Sequence, residues 1–234
     1  NTIKEQLMLF LRCDIENPSF SSQTKDELGT AVANFGSSCK VSDEFIEKLA
    51  KMGVMDAACA LTEVKDTKAA KKTDGAKTKT IRGIPKLIDA NYAGSADKSA
   101  QCTIILCEGD SAKALAMAGL SVVGQDCFGV FPLKGKLLNV REATSAQIMK
   151  NEEIVNIKKI LGLAHEKDYS DISDLRYGRI ILMCDQDLDG FHIKGLLMNF
   201  FHYFWPSLLQ HENFITALST PIVKATKNTG KKDV

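Results

Sequence analysis

Apolar residues recur along this chain in two rhythms, and the change from one to the other divides it. Over residues 2–13, Ile3, Leu7, Phe10 and Leu11 fall near helical spacing, which predicts a short amphipathic helix. Asn17-Pro18 and the polar stretch 19–25 end it. A second helix is expected from Ser42, a good N-cap. Asp43 and Glu44 suit the positive end of its dipole, and Phe45, Ile46, Leu49 and Met52 form its apolar stripe. Residues 64–80 turn rich in Lys, Thr and Ala and lose their large apolar side chains. They read as a solvated helix end plus a flexible connection, and as a domain boundary.

After Ile81 short apolar runs alternate with helical patterns. Strands are expected at 102–107, 127–131 and 179–184, with a last one at 214–218 or 222–225. Between them fall a small-residue helix at 112–120, whose Ala-rich face suits close packing on a sheet, and a helical region around 145–162. A helix at 192–205 carries Leu196, Leu197, Phe200, Phe201 and Phe204 on one broad apolar face. This alternation predicts an α/β fold: a mostly parallel sheet flanked by helices, preceded by a helical tail and a connecting helix. No internal repeat is present.

Composition sharpens this only a little. A chain of 234 residues, 44% hydrophobic and 25% charged, has the make-up of an ordinary globular protein with one good core. Thirty basic against 29 acidic residues leave a net charge of +1, so any nucleic-acid surface must be local. No apolar run approaches the ~18 residues of a membrane span. Seven cysteines with no CxxC pair and no zinc-spaced His read as reduced thiols of an intracellular protein. The first residue is Asn1 rather than Met, and the expectation is a piece of a longer protein.

The chemistry concentrates after two of the strands. Cys107-Glu108-Gly109-Asp110-Ser111 follows the first, and Asp185-Gln186-Asp187-Leu188-Asp189-Gly190 follows the third. In an extended run alternate side chains share a face, so Asp185, Asp187 and Asp189 are expected to project the same way. Crevices of open α/β sheets lie beyond the carboxyl ends of strands, which lets Glu108 face them. Four carboxylates so close need a cation, and all-oxygen donors select a hard one: Mg²⁺ first, with Mn²⁺ or Ca²⁺ as substitutes. The aspartate spacing also matches the start of an EF-hand loop, but its twelfth position is Leu196 and a strand precedes it. Residues 129–136 are not a Walker A loop, because five residues separate the glycines and Leu137 stands where Ser or Thr is required. The stretch 132–139 reads better as a basic loop for phosphates, through Lys134 and Lys136 with Asn139 as a further donor. His192 and Lys194 open the helix after the aspartates, where a helix N-terminus already favours anions.

Taken in order, these segments resemble the eukaryotic-type DNA topoisomerase II family and, more widely, the Toprim domain shared with primases and gyrase-like enzymes. The likeness runs through Ile15-Glu16-Asn17-Pro18-Ser19-Phe20 with Ser22-Gln23-Thr24-Lys25, then Arg82-Gly83-Ile84-Pro85-Lys86-Leu87. It continues through Glu108-Gly109-Asp110-Ser111-Ala112, residues 131–140, Arg176-Tyr177-Gly178 and residues 185–197. Cys107, Leu188 and Phe191 depart from the commoner pattern, but none is an expected ligand.

The resemblance implies a division into the end of an ATPase transducer region (1–40), a connecting helix and Lys-rich linker (41–80) and a Toprim metal-binding domain (81–234). It implies Mg²⁺ held by Glu108, Asp185, Asp187 and Asp189, with Glu108, Asp185 and Asp187 catalytic and Glu108 the general acid–base group. Lys134, Lys136, Asn139, His192 and Lys194 would contact DNA, and Gln23, Thr24 and Lys25 would reach the ATP γ-phosphate. There Lys25 offers a point charge where triphosphate charge changes on hydrolysis. The implied partners are double-stranded DNA, ATP and a second copy in a nuclear homodimer, and no membrane. The family's nucleophilic tyrosine lies in a downstream domain, so Tyr177, although it follows an arginine, reads as structural. Another Toprim enzyme (a primase or OLD-type nuclease) lacks the Gln-Thr-Lys loop, and a non-catalytic nucleic-acid-binding module would need no divalent metal.

Overall fold

The structure, a computed structural model, describes residues 2–219. They form two compact units, divided between Lys65 and Asp66.

In the first unit the stretch 2–13 is not the helix its spacing predicts. Only Lys4–Gln6 closes a 3-10 turn, and Leu7 already has extended backbone. Met8, Leu9, Phe10 and Leu11 are 81% to 90% exposed. A helix needs roughly 12–15 residues to hold itself in water without a packing partner, and among the described residues of this unit none covers that apolar stripe. Helix α1 (Asp43–Lys51) starts where expected, with the Ser42 hydroxyl accepting from Phe45 N at 3.3 Å. It ends at Lys51, so Met52, expected on its stripe, is the C-cap residue, and Gly53 beyond it takes a left-handed conformation (φ +81°). A separate helix α2 (Val54–Lys71) then follows.

The connection after α2 is tied down rather than flexible. Lys158, only 6% exposed, donates to Asp74 Oδ1 at 2.8 Å and to Thr73 Oγ1 at 2.9 Å. Gly75 N donates to Leu163 O at 2.8 Å, and a Cβ at Gly75 would lie 2.2 Å from Lys158 O. Thr78 O accepts from Arg176 Nε at 2.6 Å.

The second unit is an α/β sandwich of β1 (Thr103–Glu108), α3 (Gly109–Val123), β2 (Phe128–Leu133), α4 (Ser145–Lys150), α5 (Glu152–Leu161), β3 (Arg179–Met183), α6 (Leu188–Phe204) and β4 (Ile215–Ala217). The last strand is thus the first of the two expected sites; residues 222–225 lie outside the described residues. The four strands are parallel in the order β2-β1-β3-β4. Pro132, with no N–H to give, sits on the edge strand β2, where a missing donor is tolerated. Strand alternation sorts the core. Ile104, Leu106, Phe131, Leu133, Ile180 and Leu182 join the main cluster with α5 and α6. Cys107 and Val130 meet Ala116 and Leu120 of α3 on the opposite face.

Arg176 locks the connection to this sandwich. It is fully buried, donating to Thr78 O, to Ile160 O at 2.8 Å and to Asp89 Oδ2 at 2.5 Å. Tyr177, equally buried, donates its hydroxyl to Asp89 Oδ1 and accepts from Ala90 N at 2.8 Å. Burial, with Asp89 adding, pushes its phenol far above the ordinary tyrosine value. Removing one partner of a buried ion pair strands the other, which costs about 3–5 kcal/mol. Arg176→Met is therefore expected to lower urea-unfolding stability by about 3 kcal/mol or more, and a loss under about 1 kcal/mol would contradict a water-free network.

Glu153, in the first turn of α5, contributes differently. Its Oε2 is buried with no hydrogen-bond partner. Burial raises its carboxyl above the usual glutamate value, against the pull of the Lys134 backbone amide and of the Lys134 and Lys86 charges. A group whose folded value is raised favours folding at low pH and loses that contribution as pH climbs through the folded value. Glu153→Gln stays neutral, so its melting temperature relative to the parent should rise from about pH 4 to about pH 7. A pH-independent difference would contradict the assignment.

Candidate metal centre and nucleic-acid interface

Strand order places the functional crevice. The chain leaves β1 for β2 on one side, then crosses back to β3 on the other. In open parallel sheets that reversal leaves a cleft beyond the carboxyl ends of the two central strands. Glu108 ends β1, and Gly109 (φ +76°) turns the chain directly into α3. The register pairs Cys107 with Met183, so Glu108 stands level with Cys184, one residue before Asp185.

The Cys184 thiol registers the convergence. It is pushed up to about 11, first by burial, then by the Glu108 charge, with Lys194 opposing and Asp185 and Asp187 adding. The charges of three of the four expected carboxylates thus act on one buried sulfur. Glu108 Oε2 is itself buried and without a hydrogen-bond partner. An unpaired buried carboxylate oxygen costs on the order of 1–3 kcal/mol or more, unless a proton or cation meets it.

Asp189 departs from expectation. The run 185–189 was expected to be extended, with three aspartates on one face, and α6 to begin only near His192. Instead α6 starts at Leu188, with Asp187 as its N-cap: the carboxylate accepts from Gly190 N at 2.7 Å. Aspartate is a strong cap and acidic residues suit a first helical turn, so helix geometry overrides the alternation. Gly190 makes the tight entry possible, since a Cβ there would lie 2.1 Å from Asp185 O. Asp189, one helical step on, pairs with Lys136 Nζ at 2.8 Å. The hydrogen bond and charge of Lys136 hold its carboxyl below the usual aspartate value.

Among the described residues no three carboxylate, imidazole or thiol groups gather closely enough to hold a metal ion by themselves. A Mg²⁺ ion takes one or two carboxylates, with waters and substrate phosphates completing its shell. Of the expected ligands, Glu108 offers a buried carboxylate oxygen without a hydrogen-bond partner to such an ion.

Of the expected basic contacts, Lys136 alone pairs with the aspartate run among the described residues. Lys134 pairs with Glu152 at 3.1 Å, whereas Lys136 reaches the aspartate run. Asn139 uses its carbonyl to accept from Asn199 Nδ2 at 3.1 Å, which fixes its amide plane. His192 is exposed near Asp189. Lys194 is half-buried, 3.4 Å from Gln186 Oε1 and 5.0 Å from the Phe191 ring centroid. Sequence reading passed over Lys86 and Arg141. Lys86 pairs with Asp110 at 3.0 Å and lines a cleft of about 590 Å³ with Lys134, Lys150 and Lys159. Arg141 donates to Asn199 Oδ1 at 2.6 Å and stands 5.5 Å from the Tyr203 ring. Only the lysine and arginine types themselves hint at either position, because their partners are distant in sequence.

Gln23, Thr24 and Lys25 belong to the first unit. They are exposed at the tip of a loop closed by a Phe20–Leu28 bridge. Thr24 donates to Asp26 Oδ1 at 2.9 Å, and Lys25 is left-handed (φ +57°), with Nζ 5.8 Å from the Phe20 ring centroid.

Comparison with known proteins identifies the family and the fold. Residues 103–219 match the Toprim domain family, and residues 1–80 match the family described as DNA gyrase B. DNA topoisomerase 2 of Pisum sativum is 55% identical over 226 residues, 97% of this chain and 15% of that protein. Its counterpart in Arabidopsis thaliana is 51% identical over 99% of this chain and 16% of its own length. The chain thus spans about a sixth of such relatives. A crystal structure of the Plasmodium falciparum topoisomerase II DNA-binding, cleavage and re-ligation domain aligns with a TM-score of 0.62 and 57% identity, over 65% of this chain and 21% of that one. The chain belongs to the Toprim family, in its eukaryotic-type DNA topoisomerase 2 group.

Proposed function

We propose that this chain supplies the metal-binding part, and the link to the ATPase, of an ATP-dependent type II DNA topoisomerase. Such an enzyme cuts both strands of one duplex, passes a second through and reseals the break. The observation that carries the reading is the orphaned Glu108 oxygen at the switch point of the sheet, level in register with the residue before Asp185. Family membership supports it.

On this reading Glu108, Asp185 and Asp187 hold Mg²⁺, for which Mn²⁺ or Ca²⁺ can substitute, and Asp189 lies beside them. The bound ion would stabilise charge on the reacting phosphate and its leaving oxygen. Glu108, at the end of β1, would be the general acid–base group, as the resemblance implies. Lys134, Lys136, Asn139, His192 and Lys194 position the sugar–phosphate backbone, giving salt-sensitive affinity without sequence preference. Tyr169 and Tyr177 are fully buried and hydrogen-bonded, which suits them to packing rather than attack; as the resemblance implies, the nucleophile would come from a domain downstream. Gln23, Thr24 and Lys25 would meet the γ-phosphate of ATP. The division at residues 40 and 80, a homodimeric assembly and a nuclear location belong to the same proposal.

Asp187→Asn is the informative variant. Asparagine caps a helix as well as aspartate does, so α6 and the melting temperature should be kept. Metal-dependent cleavage by the enzyme carrying the change should fall by about 100-fold or more, since even outer partners of metal ligands are worth roughly 10–100-fold. Cleavage at the parent rate by a folded Asp187→Asn enzyme would exclude the assignment.

A further inference from the structure

Of the two lysines in the loop beyond β2, one is turned away from the aspartates and the other is paired with them. Lys134 is engaged by Glu152, on α5, while Lys136 Nζ lies 2.8 Å from Asp189 Oδ1. Gly135 (φ +78°) sits between the two lysines. The pair joins the loop after β2 to the first turn of α6 after β3, and these strands flank β1, whose last residue is Glu108. Both partners are exposed, 47% for Lys136 and 66% for Asp189, so parting them disturbs no core.

Resting on the metal reading above, we propose that Lys136 is a built-in counter-cation for Asp189, exchanged for the divalent ion and released to a DNA phosphate. Asp185, Asp187 and Asp189 crowd negative charge into five residues, and an ammonium partly offsets it in the absence of metal. A divalent cation offsets the same charge more strongly and repels the ammonium beside it. Lys136 then has a phosphate to turn to, and a phosphate is also what completes a Mg²⁺ shell. Lys194 does not share this role, because its ammonium is directed to Gln186, and His192 contributes only a nearby ring. Through this one side chain metal and duplex strengthen each other's binding, and reciprocity requires the same factor in both directions. Lys136 acts here as a positioning residue.

Mn²⁺ titration of the chain by calorimetry tests this, with no DNA present. An exposed pair has modest strength, so Lys136→Met should bind Mn²⁺ roughly two- to five-fold more tightly than the parent, and Lys136→Arg should match the parent. In an Asp189→Asn background Lys136→Met should bring no gain. With a short duplex and Ca²⁺ present, the metal-induced gain in DNA affinity should be smaller in Lys136→Met than in the parent. Unchanged or weaker Mn²⁺ binding by Lys136→Met overturns the exchange, and so does a gain that persists beside Asp189→Asn, which would be a general field effect. Glu108→Gln separates the two levels. If it binds Mn²⁺ as the parent does, the metal reading itself fails, whereas weakened binding there with no Lys136 effect removes only the exchange.

Discussion

The parallel pairing of β1 with β3 is the constraint on which the site depends. Its register sets Cys107 against Met183 and so fixes Glu108 level with the residue that precedes Asp185. A slip by one residue would turn Glu108 to the other face of the sheet, onto α3, and break the convergence. What prevents the slip is burial on both faces. Ile104, Leu106, Ile180 and Leu182 must meet α5 and α6, while Cys107 must meet Ala116 and Leu120. The placement of Glu108 is thus held by apolar packing on both faces of the sheet.

A second set of contacts keeps that packing in place. Arg176 reaches the connection after α2, the end of α5 and Asp89 at once, and Lys158 fastens Asp74 to α5. These are buried charges with their partners satisfied. Such groups add geometric definition more surely than they add stability. The acidic crevice is the opposite case. There Glu108 keeps one oxygen buried and unpaired, an unfavourable arrangement that makes sense as a ligand held ready.

Much of this was legible in the sequence, and the exceptions share a cause. Strands β1 and β3, the Ala-rich α3 and the apolar face of α6 follow from periodicity, which is local. Ser42 as a cap was legible for the same reason. The start of α6 was not, because Asp187 satisfies both an alternating acidic strand and a helix cap, and only Gly190 lying close to Asp185 O decides between them. The stretch 2–13 has helical spacing, but Met8, Leu9, Phe10 and Leu11 are left exposed among the described residues. Residues 73–80 look like a solvated linker because Thr78 and Asp74 find their partners about 80 to 100 positions later, at Lys158 and Arg176. Of the candidate site, the carboxylates and loop lysines could be named from spacing and resemblance, but not that Lys136 would sit on Asp189.

The central claim is that Glu108 and the aspartates beyond β3 share one hard cation. Anomalous diffraction from crystals grown with Mn²⁺ and a short duplex tests it most directly. The account predicts a peak about 2.1–2.2 Å from Glu108 Oε2, with Asp185 or Asp187 and a phosphate oxygen completing the shell. A fully occupied peak elsewhere on the chain, with the Glu108 carboxylate still unligated, would contradict it.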